Sequence, residues 1–290
     1  MSSAIARLLQ TLDLEPLEPD VFRGTTPEIG WQRVYGGLVV AQALVAASRT
    51  VEDARPAHSL QGYFLRGGEP GMPIIYRVER LRDGKSFSTR RCDAFQNDRT
   101  IFSLSASFHV NEPGLSHSVP MPDVAAPEML ASDTAFFDAL STAPAADFRA
   151  LRDWFETESA MELRPVPANG GDRQPASHRY LWMRARGTLP EAGPVHRAVL
   201  AYLSDLTLLD AALAIHGRTL FEPSIQGASL DHAIWFHRPF RADEWMLYAQ
   251  DSPHTGGARG FARGLIFDRA GTLIASVAQE GLLRLRAGPA

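Results

Sequence analysis

Residues 198–217, AVLAYLSDLTLLDAALAIHG, decide the fold, because they predict a helix that is apolar on nearly every side. A helix of this kind has to be enclosed by other elements of the protein. Pro194 is placed to begin it and Gly217 to end it. Asp205 lies in its middle, with apolar residues three and four positions away on both sides. A carboxylate in such a place must be neutralised, hydrogen-bonded or turned towards a polar cavity.

The chain repeats this pattern once. GGLVVAQALVAA, at residues 36–47, predicts a second apolar helix, and each of the two helices is followed by a series of β-rich runs. Ser59 matches Ser229 at a spacing of 229 − 59 = 170, and Tyr76 matches Tyr248 at 248 − 76 = 172. The small drift in spacing is what loops of different length produce.

One long helix on an antiparallel sheet, made twice, is an α+β architecture. A curved sheet can wrap the apolar helix, and two such sheets can join edge to edge and so remove exposed strand edges. This arrangement is the double hotdog. We predict an N-terminal repeat at 1–112, a Pro/Ala-rich connector at 113–175 and a C-terminal repeat at 176–290, with short helices in the connector at 132–141 and 145–156.

Bulk properties exclude several classes of function. The formal net charge of −4 provides no electrostatic footprint for nucleic acid. The single cysteine, Cys92, lies in an alternating apolar/polar run that favours a buried strand residue, and one thiol cannot form an internal disulfide. The chain begins without a signal-peptide pattern and no run reaches the length of a membrane helix, so we expect a cytoplasmic protein.

Several motifs in both halves resemble those of the acyl-CoA thioesterase II family (TesB type). The likeness extends over residues 8–285 and is weakest in the connector. It rests on VYGGLVVAQAL, HSLQGYFLR, LRDGKSFSTRR, SASFHV, SLDHAIWFHRPF, ARGFARG and VAQEG, which occur in the family's order. The resemblance implies the double hotdog fold and hydrolysis of acyl-CoA to a fatty acid and coenzyme A, with no metal and no bound cofactor.

The resemblance also implies the catalytic residues. In the family an Asp, a Thr and a Gln hold the nucleophilic water, and these positions correspond to Asp205, Ser229 and Gln279, with serine in place of the family's threonine. Taken one at a time, these residues are equally compatible with a hydrogen-bonded helix Asp, a strand-initiating Ser and an edge-strand Gln. The repeat aligns them with uncharged first-half residues, Gly36 for Asp205 and Ser107 for Gln279, so the first half is expected to hold no active site.

The residue types suit the chemistry. A carboxylate can take a proton from water, while a hydroxyl and an amide can orient that water without adding charge. Backbone N–H groups at a helix start such as Gly36 and Gly37 are candidates to receive the oxyanion. His58, Arg90 and Arg259 are further candidates for contact with substrate, the two arginines through the phosphates of coenzyme A.

Two alternative functions are considered. One is a non-catalytic acyl-CoA-binding module, which retention of all three polar residues disfavours. The other is a hotdog enoyl-CoA hydratase or dehydratase, which relies on an Asp–His pair, and the motif positions place no histidine near Asp205. His232 and His237 are five residues apart and are expected on opposite faces of one strand, which disfavours a metal pair. Acyl-CoA is the expected substrate, and a homo-oligomer, a dimer or a tetramer, is expected.

Overall fold

The computed structural model describes residues 3–28, 31–131, 159–167, 178–220 and 222–286. Within these ranges the helices are α1 Ser3–Leu12, α2 Gly36–Ser48, α3 Gly193–Ser204 and α4 Asp210–Ala214. The first six strands are β1 Glu15–Glu18, β2 Val21–Gly24, β3 Ala57–Phe64, β4 Ile74–Asp83, β5 Phe87–Gln96 and β6 Arg99–His109. The remaining strands are β7 Met161–Pro165, β8 His178–Ala185, β9 Ile225–Ser229, β10 Asp231–Phe236, β11 Met246–Gly256, β12 Arg259–Asp268 and β13 Leu273–Leu285. The helices predicted at 132–141 and 145–156 lie outside the described residues.

The described strands form one antiparallel sheet with the order β1-β2-β4-β5-β6-β3-β10-β13-β12-β11-β8-β7, and β9 pairs separately with β13. The two halves meet where β3 pairs with β10, with Leu60 opposite Ile234. Outward from this pair the order is the same in both directions, so β6, β5, β4 and β2 correspond to β13, β12, β11 and β8. The predicted α+β double hotdog, with two sheets joined edge to edge, is confirmed.

Local sequence explains two hairpins of the first half. β4 ends at Asp83, and Gly84 begins the short connection to β5, as the Asp-Gly signal predicts. β5 and β6 are joined through Asn97 and Asp98, whose φ angles are 49° and 56°. Asn and Asp tolerate this left-handed conformation better than other side chains, because their short polar groups bond locally.

The apolar helices lie inside the sheet. α2 is buried along most of its length and packs against α3. Each half directs one buried tyrosine from the sheet to these helices. Tyr76 donates to Gln42 Oε1 at 2.8 Å, and Tyr248 donates to the carbonyl oxygen of Ser204 at 3.1 Å. The predicted match between the two tyrosines is therefore a structural one.

The helix predicted at 198–217 is interrupted. α3 ends at Ser204, Asp205 forms its C-cap, and α4 begins only at Asp210. Pro194 lies in the first turn of α3, as predicted. Gly217, with a φ of 64°, ends the segment: its N–H bonds to Ala214 O and the next N–H bonds to Leu213 O. This is the Schellman pattern for which glycine is suited.

The strand pairing corrects one of the predicted matches. Successive paired residues from Tyr76 through β4, β5 and β6 lead to Phe102, and the same steps from Tyr248 through β11, β12 and β13 lead to Ala275. Four residues further along β6 and β13, where the pairing stays regular, lie Ala106 and Gln279. The counterpart of Gln279 is thus Ala106, at 279 − 106 = 173, and the predicted match with Ser107 is wrong by one residue. Ala106 and Gln279 both face inward, whereas the Ser107 hydroxyl bonds to His58.

Two further counterparts follow from the same pairing. Ala106 pairs with Leu60, and Gln279 lies opposite His232, next to the paired Ala233 and Ala278. Beyond these pairs both halves have an irregularity, after which Ala57 pairs with Phe108 and Ser229 pairs with Gly281. Ser229 therefore corresponds to Ala57, and the predicted match with Ser59 is also wrong.

The outer faces of the two halves differ. On the second half, Trp182, Trp245, Leu247 and Phe267 form a buried apolar cluster. Connector residues pack on this cluster, among them Met121, Val124 and Leu130, and Trp182 donates its indole N–H to Ala125 O at 2.9 Å. Connector residues 121–130 therefore pack against this cluster of the second half. No helix in the described ranges combines the length and the apolar character that crossing a bilayer requires.

Candidate active site

Asp205, Ser229 and Gln279 meet in one place. Gln279 Nε2 donates to Asp205 Oδ1 at 2.6 Å, and Ser229 Oγ lies 3.4 Å from the same oxygen. The side chains of Asp205 and Gln279 are buried, and Ser229 is partly buried. The convergence predicted for three residues separated by 24 and 50 positions is confirmed.

Each of the three is positioned by an irregular or inward-facing part of the fold. Asp205 follows the last residue of α3, where the helix is interrupted. Gln279 faces inward on β13 together with Val277, as the predicted alternation requires. Ser229 is the last residue of β9, so the expectation that it begins a strand is wrong. Its position at the change from β9 to β10 brings its hydroxyl towards Asp205.

The two oxygens of the Asp205 carboxylate have different surroundings. Oδ1 accepts from Gln279 and lies near Ser229. Oδ2 faces Gly36, where an added Cβ would lie 2.7 Å from it and 3.1 Å from Phe64 Cζ. Gln279 Oε1 is buried and has no hydrogen-bond partner among the residues that the structure describes. The assigned amide orientation, with Nε2 towards Asp205, is the one that suits an ionised carboxylate.

Gly36 therefore belongs to the same site as Asp205. Gly36 and Gly37 are the first two residues of α2. Their N–H groups cannot bond within the helix, and they lie at the positive end of the helix dipole. The site thus combines a helix start from the first half with polar side chains from the second.

Buried tyrosines surround the site. Tyr35, the N-cap residue of α2, donates to the carbonyl oxygen of Tyr202 at 2.6 Å, and the two rings pack edge to face. Burial raises the pKa of Tyr35 and Tyr248 well above the ordinary value, and the charge of Asp205 raises both further. Both phenols stay protonated at neutral pH and donate to backbone carbonyl oxygens, so neither is a second base.

His232 was missed by the sequence analysis. It is fully buried on β10, its Nδ1 lies 3.8 Å from Asp205 Oδ1, and its Nε2 lies 2.9 Å from Ser204 Oγ. The expectation that no histidine lies near Asp205 is wrong. The alternation of β10 contains the signal, because His232 faces inward with Ile234 and Phe236. His237 bonds to Ser276 Oγ at 2.8 Å and does not reach the site.

Two cavities lie near these residues. One, of about 460 Å³, is lined by residues that include Leu8, Leu38, Tyr35 and Tyr202, and so reaches the start of α2. A smaller one, of about 140 Å³, is lined in part by Thr207, two residues after Asp205. Asp205, Ser229 and Gln279 line neither cavity.

Comparison with known proteins identifies the family. Residues 22–109 match the model of the acyl-CoA thioesterase N-terminal domain, and residues 150–282 match the acyl-CoA thioesterase model. Acyl-CoA thioesterase 2 of Haemophilus influenzae is 38% identical, over 98% of this chain and 99% of its own length. This chain belongs to the acyl-CoA thioesterase family. Human acyl-coenzyme A thioesterase 8 is 39% identical, over 95% of this chain and 88% of its own length.

Solved structures agree with the thioesterase family and its fold. The crystal structure of acyl-CoA thioesterase II TesB2 from Mycobacterium marinum has a TM-score of 0.81 and 42% identity, and covers 97% of this chain and 100% of its own. A hot dog fold protein from Alicyclobacillus acidocaldarius has a TM-score of 0.76 at 17% identity, over 97% of this chain and 99% of its own. The second likeness concerns the fold alone.

Arg90, which the sequence suggested as a contact for the phosphates of coenzyme A, is buried inside the protein. Arg90 is fully buried, and its guanidinium donates to Thr50 Oγ1 at 2.9 Å, to Thr50 O at 3.0 Å and to Asp83 Oδ1 at 2.7 Å. These partners hold the chain after α2 to the end of β4. The prediction that Arg90 contacts substrate is wrong, because its donors are already bound to the protein's own oxygens.

The structure does not bring the other two candidates to Asp205. His58 Nε2 lies 2.8 Å from Ser107 Oγ, and burial lowers the pKa of His58. His58 is six residues along β3 from Phe64, about 20 Å at the usual strand rise. The exposed Arg259 pairs with Glu280 at 3.0 Å.

Proposed function

We infer that this chain hydrolyses acyl-CoA thioesters to the free acid and coenzyme A, and we propose that Asp205, Gln279 and Ser229 activate the attacking water. Membership of the thioesterase family supports the reaction. The observation that carries the site is the buried Asp205–Gln279 hydrogen bond directly beside the start of α2.

Asp205 is the general base in this proposal. Its Oδ1 is held by Gln279, so Oδ2, which faces Gly36, is the oxygen that takes the proton from water. Gln279 Oε1 accepts the second O–H of the same water, and Ser229 restricts where the water sits. The water oxygen is then directed at a thioester carbonyl placed against the start of α2.

The start of α2 stabilises the developing oxyanion. The N–H groups of Gly36 and Gly37 have no acceptor within the helix, and the helix dipole adds positive potential at that end. Donors arranged before the reaction stabilise the tetrahedral intermediate without reorganising. When the intermediate collapses, the C–S bond breaks, and the coenzyme A thiolate takes up the proton that Asp205 accepted.

We propose that the larger cavity receives the acyl chain. Its lining includes apolar residues of α1 and α2, and it reaches Tyr35 at the start of α2. A hydrolytic site at that point would place the thioester at the mouth of an apolar pocket.

Three predictions from the sequence stay proposals. They are the division into repeats at 1–112 and 176–290 with a connector at 113–175, assembly into a dimer or tetramer, and a cytoplasmic location. The repeated strand order supports the division into repeats, with β7 of the connector range added at the edge of the second half. Light scattering after size exclusion would measure the oligomeric state.

The Asp205–His232 contact is the observation that favours a hydratase as a second candidate. His232 is fully buried, however, and its Nε2 is bound to Ser204, so the imidazole is not available to protonate a substrate carbon. A hydratase would add water to crotonyl-CoA without releasing thiol, and we expect no such reaction.

Thiol release from acyl-CoA esters of increasing chain length tests the proposed function. We expect release of one thiol per ester hydrolysed, with a dependence on chain length that reflects the cavity. Binding of the esters without thiol release at any length would contradict hydrolysis and support a binding module.

A further inference from the structure

His232 lies against the proposed base and does not itself face the substrate. Its side chain is fully buried on the inner face of β10, with Nδ1 3.8 Å from Asp205 Oδ1 and Nε2 2.9 Å from Ser204 Oγ. Nδ1 has no hydrogen-bond partner among the described residues. We propose that His232 is a positioning residue, which presents Nδ1–H to Oδ1 and so keeps Oδ2 directed at the start of α2. This inference rests on the proposed role of Asp205.

The hydroxyl of Ser204 decides which nitrogen carries the proton. It lies near His232 Nε2 and also 3.1 Å from Ala201 O. If Ser204 donates to Nε2, the proton of the neutral imidazole is on Nδ1 and faces the carboxylate. If Ser204 donates to Ala201 instead, the Nδ1 lone pair faces a carboxylate in a buried place, which is repulsive. The first tautomer is favoured for this reason.

The charges around the pair support a neutral imidazole. Burial lowers the pKa of His232, and the charge of Asp205 opposes that effect only in part. The charge of Asp205 also acts on Tyr35, at the start of α2, and on Tyr248, on β11, and both are protonated at neutral pH. Their hydroxyls donate to backbone carbonyl oxygens, so the two tyrosines add no charge beside the imidazole and the carboxylate.

The first half shows that the fold does not require a histidine here. The counterpart of His232 is Leu60, which is equally buried on β3. Packing alone would thus be satisfied by an aliphatic side chain. The histidine occurs in the half that carries Asp205.

A matched control lies on the same segment. His237, directly after β10, has its Nε2 2.8 Å from Ser276 Oγ. The pair resembles His232–Ser204, but its partner is on the opposite face of the sheet and it does not contact Asp205. His237→Asn changes a serine-bound histidine without changing the active site.

The tautomer is measured directly by ¹⁵N NMR of the histidine side chains in the wild-type protein, with the His232 signal assigned by its loss in His232→Asn. We expect a neutral ring protonated on Nδ1. A ring protonated on Nε2 would overturn the proposal. This measurement does not depend on turnover, so it stays decisive even if Asp205→Asn showed the proposed function to be wrong.

Kinetics supply the second readout. His232→Leu removes the donor, and we expect kcat to fall about 10-fold with little change in KM. His232→Asn replaces Nδ1–H with an amide N–H and should restore most of the loss, while His237→Asn should match wild type. A folded His232→Leu enzyme with wild-type kcat would overturn the proposal, as would a His232→Asn enzyme no more active than His232→Leu. Circular dichroism checks folding, and if His232→Leu does not fold, the NMR result decides.

Discussion

The two halves of the molecule share a scaffold and differ in what they bury at the same three positions. The first half places Ala57, Leu60 and Ala106 there, all of them buried. The second half places Ser229, His232 and Gln279 around Asp205. The first half therefore shows that this strand order forms without polar groups at these positions, which agrees with the catalytic role that we propose for the polar residues of the second half.

The comparison also shows that neither half forms the site alone. Gly36 from the first half faces Asp205 from the second. Polar atoms of the second half, Gln279 Oε1 and His232 Nδ1, are buried without partners among the described residues. The first half has no polar side chain at the three equivalent positions and contributes the backbone N–H groups at the start of α2 instead.

The largest effect is expected when the second half is given the first half's pattern. Replacing Ser229→Ala, His232→Leu and Gln279→Ala together should lower kcat by about 10³-fold, because the water loses its orienting groups. We expect a folded but less stable protein, because Asp205 stays buried after the groups beside its Oδ1 are removed. Thiol release and circular dichroism measure the two effects. A folded triple variant with wild-type turnover would show that the polar residues of the second half are not needed for catalysis.

The next largest effect tests the contribution of the first half. Gly36→Ala places a methyl group 2.7 Å from Asp205 Oδ2, where the proposed water and carbonyl meet, and should lower kcat by about 10²-fold. Gly193, the first residue of α3, is the matched control, because a Cβ there meets only Arg197 Nη1 at 3.2 Å. Equal activity of the two alanine variants would speak against an oxyanion site at the start of α2.

A smaller effect tests the hydroxyl. Ser229→Ala should lower kcat about 10-fold, because the carboxylate and the water lose one partner. Ser229→Thr should retain activity, since it keeps the hydroxyl and restricts its rotamer. Ser107→Ala, in the first half, is the control and should match wild type. An alanine variant as active as wild type would remove Ser229 from the site and leave the other residues in place.

The smallest effect concerns stability. Burial lowers the pKa of His232 in the folded protein. Below about pH 6.5 the unfolded chain therefore binds a proton at this residue that the folded protein does not bind. The free energy of unfolding should therefore fall as pH falls below that value, by up to about 1.4 kcal/mol per pH unit from this group. Urea unfolding between pH 7.5 and 5.5 should show a shallower fall for His232→Leu. Identical pH dependence would mean that His232 does not contribute.

The sequence predicted the fold and the three proposed catalytic residues, because apolar helices, β-rich runs and motif order are local signals. It did not predict the strand register. Because the strand pairing is irregular, the first-half counterpart of Gln279 is Ala106 and not Ser107, one residue away from the predicted match. No local signal in the sequence marks such a shift. It also did not predict that α3 ends beside Asp205, because the residues on both sides have helical sequence character.

Two other residues show why contacts between distant elements escape a sequence. Arginine side chains are usually exposed, so the sequence suggests an exposed Arg90. In the structure Arg90 is buried, because α2 ends where β4 turns into β5. The repeat aligned Gly36 with Asp205, but it did not show that the packing of α2 on α3 makes the two residues neighbours. For His232 the sequence does contain an indication, because the alternation of β10 places this residue on the inward face.

The turnover of Asp205→Asn tests the central claim most directly, because asparagine keeps the shape of the side chain and removes the base. The control is Asp231→Asn, a nearby carboxylate that accepts the Glu280 N–H at 2.7 Å and is not in the proposed site. We predict that Asp205→Asn lowers kcat for thiol release from acyl-CoA by about 10²-fold or more while folding is retained, and that Asp231→Asn keeps wild-type turnover. An Asp205→Asn enzyme that releases thiol at the wild-type rate would contradict the account.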